Sequence, residues 1–451
     1  MKTVDIIERI EGEAHLKLEW RNSVVKDARI EFLNFRGFEY MLVGKPPLDA
    51  LVYTPRVCGI CGQAHLLSCV NALENLYKNA NIDLEVPKKA KLIRELGLAI
   101  ETLDSHIKWF YLFIMPDVVS LSPNDYKEYE PIKGQKWLAA TKVASDIMRG
   151  LAIFGGQWPH TSYMLPGGVM CDPTLIDLAT IENYIDQGIT FFEKNLSGVS
   201  ISEYLMFNNV EDINKLTADL KDFKDISFEY GLNNIGKSYN RFFVIADILG
   251  FKSGRIKQIN AGKINFEKIK EHDDFSFDAT ASKQSSKKYT WAKTVNYDEM
   301  FFETGPMARA LVGGRKFIKA IHKEYDDSAY TRVMSRMDEV AYLLQRCKKI
   351  IKSIDISEPS YIQPQVKLKD IPYSKARGVV EAARGSLMHE VEIEKGKIKS
   401  YNLITPTVWN LGPGSKTKPG TAQKAIIGSK SIQEATITLR SFDVCSVCTT
   451  H

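Results

Sequence analysis

The segment RVCGICGQAH at residues 56–65 carries two cysteines in Cys-x-x-Cys spacing, Cys58 and Cys61, followed by His65. A second pair, Cys445 and Cys448, lies in DVCSVCTTH at residues 443–451. Four thiolates on one centre favour a soft metal such as nickel, copper(I), zinc or an iron cluster. The two pairs therefore predict a metal site that joins distant parts of the chain.

The separation of the pairs, from residue 61 to residue 445, argues against a local zinc ribbon. A zinc ribbon brings its cysteine pairs together within about twenty residues. Closing so long a loop in a flexible chain costs roughly 5 kcal/mol. The fold itself must therefore bring the two pairs together in its interior.

The composition is typical of a globular enzyme, with 44% hydrophobic and 25% charged residues among 451. The net charge of +5 is small and its basic residues are scattered, which argues against nucleic-acid binding. The sequence contains no stretch of about 20 apolar residues, which a membrane-spanning helix would require. The N-terminus, MKTVDIIERIEGE, is too acidic for a signal peptide, so we expect a cytoplasmic protein, with any membrane association made through a partner.

Hydrophobic periodicity predicts an α+β fold that is predominantly helical. We expect one large domain over residues 1–451, with a core of long helices and small antiparallel sheets at its edge. Apolar residues at helical spacing predict a helix from Pro87 to about Met115, ended by Pro116. Further helices are predicted at 136–153, 175–194 and 329–352, hairpins at 14–35 and 391–404, and a proline-rich loop at 45–55.

Motifs along nearly the whole chain resemble the large, catalytic subunit of nickel–iron hydrogenases, including cytoplasmic uptake and sensory types. Besides the two cysteine segments, they are RIEGEAHL (9–16), FRGFE (35–39), HIKWFYLFIMPD (106–117), GGQWPHTSYMLPGGV (155–169), YTWAK (289–293), ETGPMAR (303–309) and EAARGSLMH (381–389).

The resemblance implies reversible heterolytic cleavage of dihydrogen at a nickel–iron centre whose iron carries carbon monoxide and cyanide. By the same resemblance, Cys58 and Cys445 are terminal nickel ligands, whereas Cys61 and Cys448 bridge nickel and iron. It further implies an iron–sulfur small subunit that accepts the electrons, and maturation proteins that assemble the centre. Hydrogen uptake is the expected activity, and a hydrogen sensor of the same family is the alternative.

The resemblance also assigns roles around the thiolates. Cys445 takes the proton and passes it to Glu11, while His65 donates a hydrogen bond to a bridging sulfur. Arg384 overhangs the iron, and Asp117 pairs with that arginine. Without the motif, Glu11 would be read as a buried partner of a nearby arginine and Asp117 as a helix-terminal carboxylate.

A second, harder ion is implied near the last residue. Glu39, the backbone carbonyl of Leu403 and His451 match a family site for magnesium that water completes. A frayed chain end is the simpler interpretation of a terminal histidine.

Several positions depart from the family pattern. Ala383 and Val444 replace prolines, and the segment WNLGPGS from Trp409 lacks a carboxylate that is expected near the arginine. Outside the family, a structural zinc protein or a redox dithiol protein would use the same cysteines. Bound metal distinguishes these alternatives.

Overall fold

The computed structural model describes residues 2–4, 10–122, 125–246, 255–257 and 262–449. Helices dominate the described chain, as predicted. They are α1 (Phe38–Leu42), α2 (Ala50–Tyr53), α3 (Gly62–Asn79), α4 (Lys88–Lys108), α5 (Met115–Val119), α6 (Gln135–Gly155), α7 (Leu175–Phe191), α8 (Ile201–Leu205), α9 (Asp219–Glu229), α10 (Pro306–Gly313), α11 (Lys316–Tyr325), α12 (Ala329–Ser353), α13 (Pro406–Leu411), α14 (Thr421–Ile426) and α15 (Ile432–Ser441).

In the described part of the chain, five small antiparallel sheets accompany the helices, with strand orders β1-β2-β3, β4-β5, β6-β7-β8, β10-β9 and β11-β12-β13. The strands are β1 (Lys2–Val4), β2 (His15–Arg21), β3 (Val24–Glu31), β4 (Met164–Leu165), β5 (Gly168–Val169), β6 (Phe242–Val244), β7 (Arg255–Lys257), β8 (Gly262–Lys263), β9 (Ile269–His272), β10 (Thr294–Tyr297), β11 (Tyr373–Ala382), β12 (Gly385–Glu394) and β13 (Lys397–Ile404).

The core is built around α4 and α12, which pack against each other and against α6 and α7. From Ala329 to Ala341 every residue of α12 is buried, including charged ones. Buried charges need partners, and they find them here. Arg309 of α10 binds Glu339 of α12 at 2.6 Å, and Arg332 binds Glu303 at 2.8 Å.

A ladder of asparagines attaches α3 to the edge strand β11. Asn71, Asn75 and Asn79 follow one another at intervals of four residues, so their side chains share one face of the helix. Their amides donate to the carbonyls of alternate residues of β11, at 2.7 Å in the case of Asn75 and Arg377. The edge of the sheet is thereby paired. The helix that follows the first cysteine pair is fixed against the sheet that leads to Arg384.

The predicted fold class is confirmed, with differences of detail. Helical structure does not end at Pro116. A π-helical turn at Trp109–Ile114 leads into α5, and Pro116 lies in the first turn of α5, where no backbone N–H is needed. The predicted loop at 45–55 contains α2 between two 3₁₀ turns. Strand β11 was not predicted.

Among the described helices, none combines the length and the apolar character that crossing a membrane requires.

Candidate metal centre

The first cysteine pair lies where a loop turns into α3. Cys61 is the N-cap residue of that helix, and Cys58 precedes it in the loop. The second pair lies in a 3₁₀ turn after α15, with Cys445 at the N-cap and Cys448 as the last residue of the turn. All four cysteines are at most 5% exposed.

The four sulfurs meet as one cluster. Cys58 Sγ lies 3.8 Å from Cys445 Sγ, and Cys61 Sγ lies 3.6 Å from Cys448 Sγ. Within the second pair the sulfurs of Cys445 and Cys448 are 3.0 Å apart. The prediction that the fold brings the pairs together in the interior is therefore confirmed.

Electrostatics indicates that the cluster is built for a cation. Burial acts to raise the pKa of the Cys445 thiol, but hydrogen bonds from Cys448 and Cys58 hold it well below its usual value. The pKa of Cys448 is raised well above its usual value, because its neighbours already carry the charge. Four buried thiolates repel one another unless metal ions compensate them, and thiolate ligands suit nickel and iron.

His65 lies one turn into α3, on the side of the sulfurs. A ring nitrogen of His65 and the sulfurs of Cys61 and Cys448 lie within 4.8 Å of one another. The Nδ1 atom of His65 is 3.0 Å from Nε2 of His389, whose Nδ1 is 2.8 Å from the hydroxyl of Tyr401. This chain of buried partners orients the imidazole.

Arg384, in the turn between β11 and β12, is 3% exposed and lies beside the thiols. Its Nη2 is 3.1 Å from Asp443 Oδ1, and Asp443 Oδ2 accepts from Nη1 of Arg336 at 2.9 Å. The Nε atom of Arg384 donates to the Asp443 carbonyl at 3.2 Å, whereas its Nη1 and Nη2 make no hydrogen bond among the described residues. Burial acts against the charge of Arg384, but Asp443 and the Cys445 thiol hold its pKa well above the usual value.

Asp117 was expected to pair with Arg384, and the structure shows a different partner. Asp117 binds Arg440 of α15, because the first turn of α5 packs against α15 rather than against the tip of the β11–β12 hairpin. The carboxylate beside Arg384 is Asp443, which the sequence analysis missed. Its position two residues before Cys445 was the available signal.

Glu11 joins the two cysteine segments. Its backbone bridges to Cys445, and its carbonyl accepts from the Ser446 amide at 2.8 Å. Its carboxylate accepts a hydrogen bond from the Gly59 amide, and burial and the neighbouring Cys58 thiol raise its pKa. Gly12, at φ +80°, lets the chain turn here, where a side chain would collide with Ser446.

Arg36 also contacts both segments, although the sequence analysis gave it no role. Its guanidinium donates to the carbonyls of Val57 and Val447, which precede Cys58 and Cys448. The motif FRGFE contained the signal, but only the fold places its arginine between the two pairs.

The residues predicted to hold magnesium are partly described. The Leu403 amide donates to Glu39 Oε1 at 2.8 Å, and Lys293 Nζ lies 3.4 Å from Glu39 Oε2. Glu39 and Leu403 are thus neighbours, whereas His451 lies outside the described residues.

Comparisons with known proteins agree with this site. The model of the family "Nickel-dependent hydrogenase" matches residues 36–131 and 122–451. The large subunit of a periplasmic NiFeSe hydrogenase from Desulfomicrobium baculatum is 23% identical, over 100% of this chain and 94% of the relative. The uptake hydrogenase large subunit of Rhizobium leguminosarum bv. viciae is 24% identical, over 99% of this chain and 94% of the relative.

A solved structure shares the fold. The Ni-Fe-Se hydrogenase from Desulfovibrio vulgaris Hildenborough superimposes with a TM-score of 0.80 at 24% identity, covering 100% of this chain and 99% of that one. Because the family match extends over most of the sequence, the chain belongs to the nickel-dependent hydrogenases, as a large subunit that catalyses the cleavage of dihydrogen.

Proposed function

We propose that the four cysteines hold a nickel–iron centre with carbon monoxide and cyanide on the iron, and that the subunit works in hydrogen uptake. The observation that carries the proposal is the way the sulfurs pair across the two segments. First cysteine lies against first and second against second, at 3.8 and 3.6 Å. A centre with two terminal and two bridging thiolates would need the first cysteines of both segments to lie together and the second cysteines to lie together.

When bound, the centre supplies metal ions that polarise dihydrogen and accept its electrons. The chain supplies a site from which solvent is excluded and in which the thiolates are the nearest bases. Arg384 adds a fixed positive charge beside Cys445, held in place by Asp443. Its unpaired Nη1 is available to small ligands with acceptor atoms, as diatomic ligands of iron would be.

Glu11 is proposed to take the proton from Cys445. Its carboxylate lies beside Cys58, and Cys58 Sγ is 3.8 Å from Cys445 Sγ, which would let protons from either terminal thiolate pass to this carboxylate. A raised pKa favours proton uptake by this carboxyl, which a proton relay requires. Cys445 remains the proposed first acceptor, and Glu11 the next.

Magnesium is proposed at Glu39, together with the carbonyl of Leu403 and with His451. The support is that Glu39 lies against the Leu403 backbone. The ion would share the Glu39 carboxylate with Lys293, whose Nζ is 3.4 Å from Oε2. A hard ion at this position would complete its shell with water.

An iron–sulfur subunit is proposed to cover an apolar surface between residues 33 and 52. Exposed large apolar side chains this close in sequence mark an interface rather than a solvated face. Arg36 links this surface to both cysteine segments, which would keep the path for electrons short. The surface, called the 33–52 surface below, consists of Leu33, Phe35, Tyr40, Met41, Val43, Leu48 and Val52, each between 40% and 57% exposed.

An infrared spectrum of the purified, metal-loaded protein tests the centre. Bands of metal-bound carbon monoxide and cyanide, with nickel near one equivalent, are expected. Zinc at one equivalent with no such bands in a fully metallated sample would contradict the proposal and favour a structural zinc protein. Hydrogen-dependent reduction of a dye by the complex, compared with its hydrogen evolution, then tests the uptake direction.

Co-purification tests the interface. Met41→Glu places a charge on the 33–52 surface and should release the iron–sulfur subunit. Ile176→Glu, at a residue that is 78% exposed but far along the chain in α7, is the matched control and should retain it. Equal retention by both variants would place the partner elsewhere. The expected cytoplasmic location stays a prediction, which cell fractionation checks.

A further inference from the structure

The N-terminus of α3 has an unusual capping problem. The first amides of a helix have no partner within the helix, and the N-cap side chain normally accepts one of them. Here the N-cap is Cys61, whose sulfur faces the other thiols, and it caps no amide of its helix. The amides of Gln63 and Ala64 must find an acceptor elsewhere.

That acceptor is Glu101 of α4, a residue without a role in the centre proposed above. Its Oε2 accepts from the Gln63 amide at 2.8 Å, and its Oε1 accepts from the Ala64 amide at 3.0 Å. The indole N–H of Trp158 lies 3.4 Å from Oε2. Glu101 is 2% exposed, so these contacts are made away from water.

The surface of α4 is shaped for this contact. Gly97 lies one turn before Glu101 on the same helix face, and a Cβ there would come within 2.6 Å of Gln63 Nε2 and of the Tyr163 hydroxyl. The glycine leaves room for the Gln63 side chain, which donates to that hydroxyl at 2.6 Å. Gly97 and Glu101 together form the contact surface on α4 for the first turn of α3.

Burial and the hydrogen-bond donors act in opposite directions on the charge of Glu101. Burial raises the pKa of this carboxyl to about 8, and the amides of Gln63 and Ala64 act to lower it. Three N–H groups point at its two oxygens, which is the environment of an acceptor. When the carboxyl is ionised, its charge also interacts favourably with the dipole of α3.

We propose that Glu101 is a positioning residue for the metal centre: it replaces the missing N-cap of α3 and so fixes the directions of Cys61 and His65. Cys61 must use its sulfur for metal, and a carboxylate from a neighbouring helix takes over the capping. The inference rests on the nickel–iron proposal only for its effect on the centre, not for the contact itself.

Hydrogen–deuterium exchange of the metal-free protein tests the contact directly. In Glu101→Ala, exchange within residues 62–66 should accelerate roughly ten- to a hundredfold, because two buried amides lose their acceptor. Glu101→Gln keeps the size and one acceptor oxygen but turns an NH₂ group toward an N–H donor. We expect an intermediate acceleration, and this variant carries the test if the alanine protein does not fold.

Asp104→Asn is the matched control. Asp104 lies on the same helix, is 1% exposed, and pairs with Lys108 of its own helix at 2.7 Å. Exchange at 62–66 should stay as in the unaltered protein. Unchanged exchange in both Glu101 variants, or an equal acceleration in Asp104→Asn, would overturn the inference.

The metal-loaded protein gives the second readout. Glu101→Ala and Glu101→Gln should shift the carbon monoxide and cyanide bands, with the smaller shift in the glutamine variant, whereas Asp104→Asn should leave them in place. Bands that stay in place in both Glu101 variants would overturn the effect on the centre. Accelerated exchange in a protein that never holds nickel would leave the contact standing and sink the nickel–iron proposal alone.

Discussion

The two cysteine segments have the same spacing but are held in different ways. The first, Cys58 to Cys61, opens an 18-residue helix that is fixed by the asparagine ladder to β11 and at its first turn by Glu101. The second, Cys445 to Cys448, lies in a three-residue turn. Distant parts of the chain hold both segments, but they hold the first through a long helix and the second through separate contacts to the backbone of a short turn.

The contacts of the second segment come from three distant regions. The Ser446 amide donates to the Glu11 carbonyl, the Thr405 hydroxyl donates to the Cys448 carbonyl at 2.6 Å, and Arg36 donates to the Val447 carbonyl. None of these exists before the whole chain has folded. The completed site is therefore a property of the entire subunit, as the long loop between the pairs requires.

The largest expected effect removes a ligand from either segment. Cys61→Ser and Cys448→Ser should each reduce bound nickel to background and abolish hydrogen cleavage, because each loses a proposed bridging thiolate. Metal analysis and a hydrogen uptake assay measure both. Cys347→Ser, at a buried cysteine in α12, is the control and should keep its metal. Full nickel in either ligand variant would remove that cysteine from the centre.

Glu11→Gln separates the backbone contact that Glu11 makes with the second segment from the role of its carboxylate beside Cys58. The backbone contact with Cys445 and Ser446 stays, so nickel content should be unchanged. The carboxylate beside Cys58 is lost, and turnover should fall by roughly 10²-fold or more, the range for removal of a general acid–base group. Hydrogen–deuterium isotope exchange with the gas measures this step without the electron acceptor.

Two results would contradict that interpretation. Unchanged isotope exchange would take Glu11 off the proton path, and a loss of nickel would show that the carboxylate supports the ligands instead. Glu13→Gln, two residues away on the exposed side, is the control and should behave as the unaltered protein.

Arg36→Ala should loosen the second segment more than the first. Both segments lose a charge-assisted hydrogen bond, worth about 1.5–3 kcal/mol each. The first segment retains Glu101 and the ladder, whereas the second retains fewer restraints. Amide exchange should therefore rise at 443–449 more than at 56–61. Arg36→Lys tests the geometry, since a single ammonium does not reproduce the guanidinium fork.

An equal rise in both segments after Arg36→Ala would mean that α3 gives the first segment no extra rigidity, and the comparison would fail. No rise at either would show that the two carbonyls do not depend on Arg36.

The sequence predicted what is local or carried by motifs. The helices, the hairpins and the meeting of the four cysteines were confirmed. Helical periodicity and Cys-x-x-Cys spacing are patterns of residues close in sequence, so they can be recognised without the fold. The sequence predicted that Pro116 ends a helix, but a π-helical turn precedes it and Pro116 lies in the first turn of α5. Proline marks a boundary without saying whether a helix ends or begins there.

Partners across the fold were beyond the sequence. Asp117 was assigned to Arg384, but α5 packs on α15 and pairs it with Arg440, while Asp443 takes its place. Glu101 carried no motif at all, and its role depends on how closely Gly97 lets α4 approach α3. Contacts of this kind depend on the packing of helices, which one sequence does not specify.

The smallest expected effect tests the ladder that makes the first segment rigid. Asn75→Ala removes the 2.7 Å hydrogen bond to the Arg377 carbonyl, in the middle of α3 and far from the sulfurs. The free energy of unfolding should fall by about 1 kcal/mol, with turnover and infrared bands unchanged, because Glu101 still fixes the first turn. Asn79→Ala, at the exposed end of the ladder, should cost less. Denaturant unfolding of the metal-free protein measures both. If Asn75→Ala shifts the infrared bands while the free energy of unfolding is unchanged, the ladder affects the centre directly. The view that the ladder holds the helix and that Glu101 alone positions its first turn would then be wrong.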